Sequence, residues 1–525
     1  MLHPSHRHSV FTATLLLMGS AFLSRIIGLV RIKYIAWLFG SGVEADALTA
    51  AFVLPDMIAY FLVGGVASIS FVSILTRYRE TGREAEGDRS LSVILNTMFL
   101  VLGSAILLAE VAAPIWVHLW FKGFGPEKAA LCVRLTRILL PAQLFFFAGG
   151  VFASVLLVRK QFNVQAVTPL IYGMGTIVGG MMLYKHMGAS SLALGTTAGA
   201  FLGPFLLNWY FARRAGTRYR LLLDFHDQGL HEWVRLSLPL MIGMSLVTVD
   251  NWFIAYFASE TGGGIALMNY AKQLFTAPMS MLAQAAGVAS MPFFASLWNQ
   301  KRHYEFAIGV ADSVSRIAAL GLLSASIMAA VGKPLIGLIF IGGRFSAADA
   351  NLCSAYFSVF CGTMFLWGAQ AIYARAFYAA GQTMAPAVAS TIVTVVSFPF
   401  YAALYHSMGT MGLAVASDIG IALQTLTIAL LLHKRRMVSL ASLDFHELSR
   451  CLLAGVIAGT VVWGAVWAML HGAAQLQTGP LHPGRLLDAA VLVVASLLWL
   501  GIAFWVLEAS GSALPRVVKK KLRLA

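Results

Sequence analysis

The sequence predicts an all-α polytopic membrane protein with about fourteen transmembrane helices. We expect two pseudo-symmetric six-helix lobes and two C-terminal helices around a central cavity. Three observations predict this fold class: the composition is strongly apolar, apolar stretches of helix length recur along the chain, and much of the sequence occurs twice.

The composition excludes an ordinary soluble domain. Of the 525 residues, 59% are hydrophobic and 11% are charged, whereas soluble domains carry roughly 25% charged residues. The mean hydropathy is +0.78. Apolar stretches of about 20 residues can cross a bilayer as helices, and their unbroken character disfavours a barrel, whose strands alternate. The predicted spans are residues 10–38, 47–75, 91–119, 129–157, 163–184, 190–212, 232–258, 264–297, 306–330, 350–379, 385–406, 410–432, 449–471 and 486–507.

The chain also contains an internal repeat. Gly-Val-Ala-Ser at residues 65–68 recurs at residues 287–290. The other matched pairs are Met187-Gly188 with Met408-Gly409, Leu192-Ala193 with Leu413-Ala414, Arg213-Arg214 with Arg435-Arg436, and Pro55 with Pro278. All offsets lie between 221 and 223 residues, which indicates a duplicated unit and the two-lobed layout of a transporter. We place the N-lobe at residues 1–222, the C-lobe at 223–445, and two added spans with a basic cytoplasmic tail at 446–525.

The distribution of positive charge predicts the orientation. With the N-terminus in the cytoplasm, the inside segments hold 21 Lys and Arg residues and the outside segments hold 6, as the positive-inside rule requires. Both termini are therefore expected in the cytoplasm, and the basic tail is expected to lie against anionic headgroups of membrane lipids. The same bias explains most of the net charge of +15, so we expect no nucleic-acid partner.

Motifs for catalysis are missing from the sequence. It contains no phosphate-binding G-x-x-x-x-G-K-[ST] loop, no H-E-x-x-H and no G-x-S-x-G element, which argues against an ATP-driven pump and against an enzyme. The cysteines have no metal-binding spacing and are expected to pack within spans. We expect a transporter without a cofactor, driven by a sodium or proton gradient, by the membrane potential or by substrate supply.

Two arginines lie inside the first predicted span. Arg25 and Arg31 are six residues apart, roughly 9 Å along a helix and about 120° around it. Charged groups within spans usually face a cavity, and two guanidinium groups suit a diphosphate or carboxylates. The alternative is that they reach the interface or pair with acids such as Asp46 or Asp56. The residues alone support both interpretations equally.

Asp46 precedes the second span. It is interpreted as a gate residue or as a helix cap, and the residues alone favour the helix cap. Asp250 lies in the middle of the seventh span. Its carboxylate suits a cation or a proton relay, and the structural alternative is a salt bridge to Lys272. Asp418, beside Ser417, is a second intramembrane acid with a cation or Arg375 as the candidate partner.

Two prolines at matching positions of the repeat, Pro55 and Pro278, fall inside spans. Because proline cannot donate a backbone hydrogen bond, we expect both to kink or interrupt their helices near the cleft.

Several stretches resemble the MurJ/MviN family. The N-terminal ones are residues 24–31 (Ser-Arg-Ile-Ile-Gly-Leu-Val-Arg), 39–40, 45–47 and 51–55; the later ones are residues 338–345 and 374–383 with Pro386. The resemblance covers essentially the whole chain and implies the multidrug/oligosaccharidyl-lipid/polysaccharide exporter fold. Members of this family flip lipid II, the undecaprenyl-diphosphate-linked peptidoglycan precursor, from the cytoplasmic to the outer leaflet of the inner membrane.

The resemblance also implies roles for individual residues. Arg25 and Arg31 would bind the lipid diphosphate, with Lys272 and Gln273 as further substrate-binding candidates, and Asp46 would act near the periplasmic gate. Asp250, with Ser417 and Asp418, would serve cation or proton coupling, including a sodium ion in some members. The two added spans would form a groove for the polyprenyl tail.

The chain departs from the family pattern at several charged positions. Val53, Ala59 and Gly64 stand where the family usually has Lys, Arg and an acid, and Gln273 stands in place of an arginine. We therefore keep two alternatives beside a lipid II flippase working by alternating access. They are a flippase for another undecaprenyl-diphosphate-linked oligosaccharide and a cation- or proton-coupled drug exporter. In each case we expect a monomer in the bacterial inner membrane.

Overall fold

The computed structural model describes residues 10–63, 67–159, 161–475 and 484–516. Within these ranges the regular elements are helices, apart from one isolated bridge between Gly342 and Phe345. The all-α membrane fold predicted from the sequence is confirmed. The repeated element at residues 65–68 begins outside the described residues, and the basic tail from residue 517 onward lies outside them.

The helices follow one another closely along the chain. In order they are α1 Val10–Phe39, α2 Val43–Ala51, α3 Val53–Ile58, α4 Ala67–Glu80, α5 Glu84–Trp120, α6 Pro126–Leu139, α7 Ala142–Val158, α8 Phe162–Met187, α9 Ala189–Ala200, α10 Asn208–Arg214, α11 Gln228–Ile242, α12 Leu246–Ala258, α13 Gly264–Asn299, α14 His303–Phe340, α15 Ala347–Cys361, α16 Met364–Ala379, α17 Met384–Met408, α18 Thr410–Lys434, α19 Phe445–Gln475 and α20 Gly484–Ala509. Short π-helical stretches follow α3 (Ala59–Val63) and α9 (Phe201–Leu207), and a 3₁₀ turn, Leu440–Ser442, precedes α19.

The chain divides into two compact units. The first comprises Met1–Ile35, Gly42–Gly243 and Ser259–Ile265, and the second comprises Ala36–Ser41, Met244–Ala258 and Ala266–Ala525. The lobe limits at residues 222 and 445 were drawn from the sequence repeat and stay predictions.

The predicted spans coincide with helices. Among the described residues, ten helical segments are long and apolar enough to cross a membrane, or eleven if the bent pair α15 and α16 forms one span. Each of these falls on one of the fourteen predicted spans. The first and eighth predicted spans are the continuous helices α1 and α13, of 30 and 36 residues. The seventh is divided between α11 and α12.

Interruptions of the spans occur where the backbone loses hydrogen bonds. The helix carrying Pro55 is broken at Phe52 and continues as a π-helical turn. Pro55 has no N–H to donate to the carbonyl of Ala51, and the hydroxyl of Thr136 donates to that carbonyl instead, at 3.4 Å. The predicted interruption is therefore present at Pro55. At Pro278 helix α13 is continuous, so an interruption is wrong there, and a kink at this position stays a prediction.

A second break separates α11 from α12 at residues 243–245. In the first unit, the hydroxyl of Tyr60 donates to the carbonyl of Gly243 at 2.9 Å. In the second unit, the backbone N–H of Met244 donates to Oγ1 of Thr391 at 2.9 Å. Side-chain hydroxyls thus satisfy backbone groups that the helix no longer pairs, as a low-dielectric surrounding requires.

Helix α1 packs along α8 in a seven-residue register. Ser20, Ile27 and Tyr34 of α1 meet Ala166, Gly173 and Gly180 of α8, respectively. The contacts are close, because a Cβ atom on Gly173 would lie 2.8 Å from Ile27 Cγ2 and one on Gly180 would lie 2.7 Å from Tyr34 Cε1. Equal seven-residue spacing on both helices indicates parallel packing at a small crossing angle. This packing fixes the rotation of α1, and with it the directions of its arginines.

The duplicated sequence forms the same turn twice. Helices α8 and α9 are joined at Gly188, with φ 53° and ψ −135°, and helices α17 and α18 are joined at Gly409, with φ 61° and ψ −143°. Only glycine adopts such a conformation at low cost. The repeated Met-Gly pair therefore marks a helical hairpin in each half of the chain.

The end of α1 docks onto the turn after α14 within the second unit. The N–H of Arg344 donates to the carbonyl of Trp37 at 2.9 Å, and the hydroxyl of Tyr270 donates to the carbonyl of Gly40 at 3.0 Å. Gly40 and Gly343 lie in this contact, and neither tolerates a side chain. A Cβ atom on Gly40 would lie 2.3 Å from the carbonyl oxygen of Arg344, and a Cβ atom on Gly343 would lie 2.1 Å from the carbonyl oxygen of Trp37.

We expect Gly343→Ala to lower the thermal stability of the detergent-solubilised protein much more than Gly381→Ala. Both glycines have positive φ angles, 59° and 72°, but no atom lies within 4 Å of the Cβ position at Gly381. The control therefore carries only the left-handed backbone cost of about 1–2 kcal/mol, whereas Gly343→Ala must also separate Trp37 from the turn. Equal shifts in apparent melting temperature would contradict the close docking.

Candidate functional site

The first unit holds an accessible charged cluster inside its helices. Arg31 of α1 is half-buried and Asp56 of α3 is exposed. The Arg31 guanidinium interacts electrostatically with the Asp56 carboxylate and with the hydroxyl of Tyr172 on α8. The Tyr172 ring is held edge-on against Phe146, with a centroid distance of 5.0 Å. Asp56 was one of the acids named from the sequence as a structural partner of the arginines.

The seven-residue register of α1 on α8 explains this arrangement. Arg31 lies four residues after Ile27 and three before Tyr34, so it shares the α8-facing side of α1. Arg25 lies two residues before Ile27, about 200° around the helix, and it is exposed. Within the described part of the chain its guanidinium forms no hydrogen bond or ion pair. The two arginines are therefore both accessible, but only Arg31 has an acidic partner.

Asp46 is locked in a different contact of the first unit. Its carboxylate is fully buried and accepts hydrogen bonds from Lys128 Nζ at 2.6 Å and from the backbone N–H of Gly263 at 2.8 Å. The Lys128 ammonium also lies 4.2 Å from the centre of the Phe124 ring. The helix-cap interpretation of Asp46 is wrong, because the N-cap of α2 is Gly42 and Asp46 lies one turn inside.

In the second unit, Asp250 lies at the centre of a sealed network. Its carboxylate accepts hydrogen bonds from Lys272 on α13, from the Tyr401 hydroxyl on α17 and from Ser417 Oγ at 2.7 Å on α18. Asp250 is 2% exposed, Lys272 7% and Tyr401 0%. The structure thus contains the salt bridge that was the structural alternative for Asp250, and four helices meet at one carboxylate.

The remaining candidates of the second unit are placed differently. Asp418 is half-buried and accepts a hydrogen bond from Thr363 Oγ1 at 2.5 Å. Gln273 is exposed on α13 beside the buried Lys272. Among the described residues, no group of three or more His, Cys, Asp or Glu side chains could hold a metal ion. The roles assigned to all these residues in transport stay predictions.

The two clusters offer different chemistry. Arg31 and Arg25 present guanidinium groups that an oxyanion could reach, and guanidinium is the side-chain group best suited to bidentate phosphate contact. Lys272 is the opposite case, because its ammonium is buried and neutralised by Asp250. A ligand would reach it only after that salt bridge opens.

Sequence reasoning missed several members of these clusters. Tyr172 could not be recognised from the sequence, since an aromatic residue in an apolar span usually only packs against its neighbours. Lys128 was counted only as an outside positive charge, and Thr363 was not considered. Residues far apart in sequence, such as Asp46 and Lys128, are joined only by the packing of α2 on α6.

We expect Asp250→Asn and Lys272→Met to destabilise the protein singly and the double variant to be close to wild type. Each single change leaves an uncompensated buried charge or a broken pair, which costs about 3–5 kcal/mol. The double variant removes both charges together. Apparent melting temperatures in detergent measure the effect, and Asp312→Asn, at an exposed position of α14, is the control. Additive losses in the double variant would contradict mutual neutralisation.

Comparison with known proteins agrees with this fold. A family model described as "Lipid II flippase MurJ" matches residues 35–480. The chain is 24% identical over 522 residues to the "Lipid II flippase MurJ" of Burkholderia cenocepacia, covering 95% of this chain and 98% of the relative. It is 24% identical over 471 residues to a "Probable lipid II flippase MurJ" of Synechocystis sp., covering 86% and 87%.

Among solved structures, "Lipid II flippase MurJ, inward closed conformation" matches with a TM-score of 0.76 at 19% identity, covering 94% of this chain and 99% of that one. At this identity the match shows a shared fold. The family model spans most of the sequence, including the helices that carry Asp56, Tyr172 and the Asp250 network. This protein therefore belongs to the lipid II flippase MurJ family.

Proposed function

We propose that this protein translocates lipid II from the cytoplasmic to the outer leaflet of the bacterial inner membrane. Proteins named as lipid II flippases align with this chain over most of their length. The observation that carries the proposal at the level of residues is the pair of accessible guanidinium groups, Arg25 and Arg31, on a 30-residue helix of a membrane protein. Charge at such a position is costly without a function.

In this proposal the diphosphate of the lipid is bound by Arg25 and Arg31. Asp56 holds Arg31 in the absence of substrate and keeps the local charge balanced. A diphosphate carries more negative charge and more acceptor oxygens than one carboxylate, so it competes successfully for the guanidinium. Tyr172 keeps the Arg31 side chain oriented during this exchange.

Alternating access requires contacts that form in one state and break in another. The buried Lys128–Asp46–Gly263 contact is our candidate for one of them, and it fits the gate role predicted for Asp46. Gly263 lies on the connection between α12 and α13, so breaking its bond to Asp46 would free that connection to move.

Coupling in this protein does not need a bound sodium ion. The Lys272 ammonium already supplies the positive charge that the buried Asp250 carboxylate demands, and Tyr401 and Ser417 provide its other contacts. The membrane potential is the proposed driving force, since moving one charge through it is worth about 2.3 kcal/mol per 100 mV. The drug-exporter alternative loses its main support, because it required Asp250 to be available as an ion or proton carrier.

The proposed orientation has both termini in the cytoplasm, as the excess of inside Lys and Arg residues supports. The protein is proposed to act as a monomer in the inner membrane. The flippase for a different undecaprenyl-diphosphate-linked oligosaccharide stays an outcome of the experiment below, because Val53 and Ala59 lack the charges usual in the resembling family.

We expect the wild-type chain to rescue cells depleted of their own lipid II flippase, and Arg31→Ala and Arg25→Ala to fail. Arg31→Lys should rescue partially, because it keeps the charge and loses the bidentate contact. Arg302→Ala is the control, since that exposed arginine contacts only nearby surface residues, Glu305 and Gln300, at the start of α14 within the described part of the chain. Growth, cell shape and membrane protein level are measured together.

Two results would contradict this assignment. Full rescue by Arg31→Ala at wild-type protein level would remove the diphosphate role of Arg31. Failure of the wild-type chain, with the protein present in the membrane, would favour another lipid-linked oligosaccharide as cargo.

We expect lipid II translocation by the purified, reconstituted protein to be unchanged when potassium replaces sodium on both sides of the vesicle. The physical reason is the occupation of the Asp250 carboxylate by Lys272. Dissipating an imposed membrane potential should slow translocation under the same conditions. Strict sodium dependence of the wild-type protein would overturn the proposed coupling.

A further inference from the structure

Residues 217–225, which we name the α5 strap, run alongside helix α5 in the first unit. The N–H of Arg218 donates to Asp88 at 3.0 Å and the N–H of Arg220 donates to Ser92 Oγ at 3.1 Å. Nδ2 of Asn96 donates to the carbonyls of Arg220 and Leu222 at 3.0 and 2.9 Å. Every second strap residue is thus held by every fourth residue of α5.

This register has a simple geometric basis. Four helical residues rise about 6 Å, and two residues of an extended chain advance about 6.6 Å. The match lets Asp88, Ser92 and Asn96 bind backbone groups of Arg218, Arg220 and Leu222 in turn. Leu222 packs against the hydrophobic core of the unit.

The alternate side chains of the α5 strap are left outside. Leu221 is 89% exposed, Leu223 52% and Phe225 57%. Tyr219 differs, because its hydroxyl bonds to Asn96. Three large apolar side chains, each separated by one residue, therefore project from a backbone whose opposite edge is already hydrogen-bonded.

Positive charge surrounds these apolar side chains. Arg213, Arg214, Arg218 and Arg220 are all exposed. The Arg220 side chain has no hydrogen bond or ion pair within the described residues, whereas the acid of the strap, Asp224, is neutralised by Arg89 at 2.9 Å. Apolar side chains flanked by exposed arginines complement a surface that is apolar below and negatively charged above.

The position of the α5 strap along the chain places it at the membrane boundary. It begins three residues after the membrane-spanning segment Ala189–Arg214 ends, and α5 itself is part of a spanning helix. The backbone groups of the α5 strap that are hydrogen-bonded to α5 need no water as partners. This lowers the free-energy cost of moving the strap out of the aqueous phase.

We propose that the α5 strap is an interfacial anchor, which inserts Leu221, Leu223 and Phe225 between the headgroups of anionic phospholipids while Arg218 and Arg220 contact the lipid phosphates. Segments of this kind bury their apolar side about 5–10 Å deep at the boundary of the headgroups. In the orientation proposed above, this surface is the cytoplasmic leaflet. The anchor fixes the connection between the two halves of the sequence repeat to the membrane.

Spin labels on the full-length protein test this proposal. Leu221→Cys, Leu223→Cys and Phe225→Cys are labelled with a nitroxide after reconstitution into vesicles of phosphatidylcholine, with and without phosphatidylglycerol. The four native cysteines are buried. Leu108→Cys, exposed in the middle of α5, is the lipid reference, and Gln300→Cys, exposed in the loop before α14, is the water reference.

We expect labels at 221, 223 and 225 to collide more with oxygen than with a water-soluble nickel complex, at a depth between those of the two references. Phosphatidylglycerol should increase this depth, and Arg218→Gln with Arg220→Gln should abolish the increase. Water-like accessibility at these positions would overturn the anchor. Labels that are immobilised and shielded from both reagents would also overturn it, and would identify the surface as a protein contact.

Discussion

The cost of placing a charge inside a bilayer governs this structure. A buried carboxylate must be matched by donors, and Asp250 obtains them from Lys272, Tyr401 and Ser417 on three other helices. The same requirement joins Asp46 to Lys128 and to the backbone of Gly263. Because removal of one partner leaves an uncompensated buried charge, each network holds together the elements that supply its members.

The backbone obeys the same constraint. Where Pro55 cannot donate, Thr136 supplies the missing donor to the Ala51 carbonyl. Where the chain leaves helical geometry near Gly243, hydroxyl groups of Tyr60 and Thr391 take the places of the lost helical partners. At both of these breaks a neighbouring hydroxyl satisfies the freed backbone group, which also makes these positions suitable for conformational change.

These rules separate the charged residues into two kinds. Asp250 and Lys272 are sealed and neutral as a pair, so their contribution is to hold four helices in one arrangement. Arg25 and Arg31 are accessible, and Arg31 is balanced by a single exposed carboxylate. A ligand with a diphosphate can compete with that carboxylate for the guanidinium of Arg31. The proposed substrate site therefore follows from accessibility as much as from residue type.

The fold class, the repeat and the positions of the spans could be predicted from the sequence, because apolar runs of helix length and matched offsets are local features of the chain. It also singled out Arg25, Arg31, Asp46 and Asp250, since a charge within an apolar run is visible without a structure. The partners could not be found in that way. Lys272 was one of two interpretations for Asp250, and Lys128 and Tyr172 were not anticipated, because side chains from distant segments meet only when helices pack. Helix packing also selects which proline interrupts its helix: Thr136 lies beside Pro55, whereas α13 passes through Pro278 as one helix.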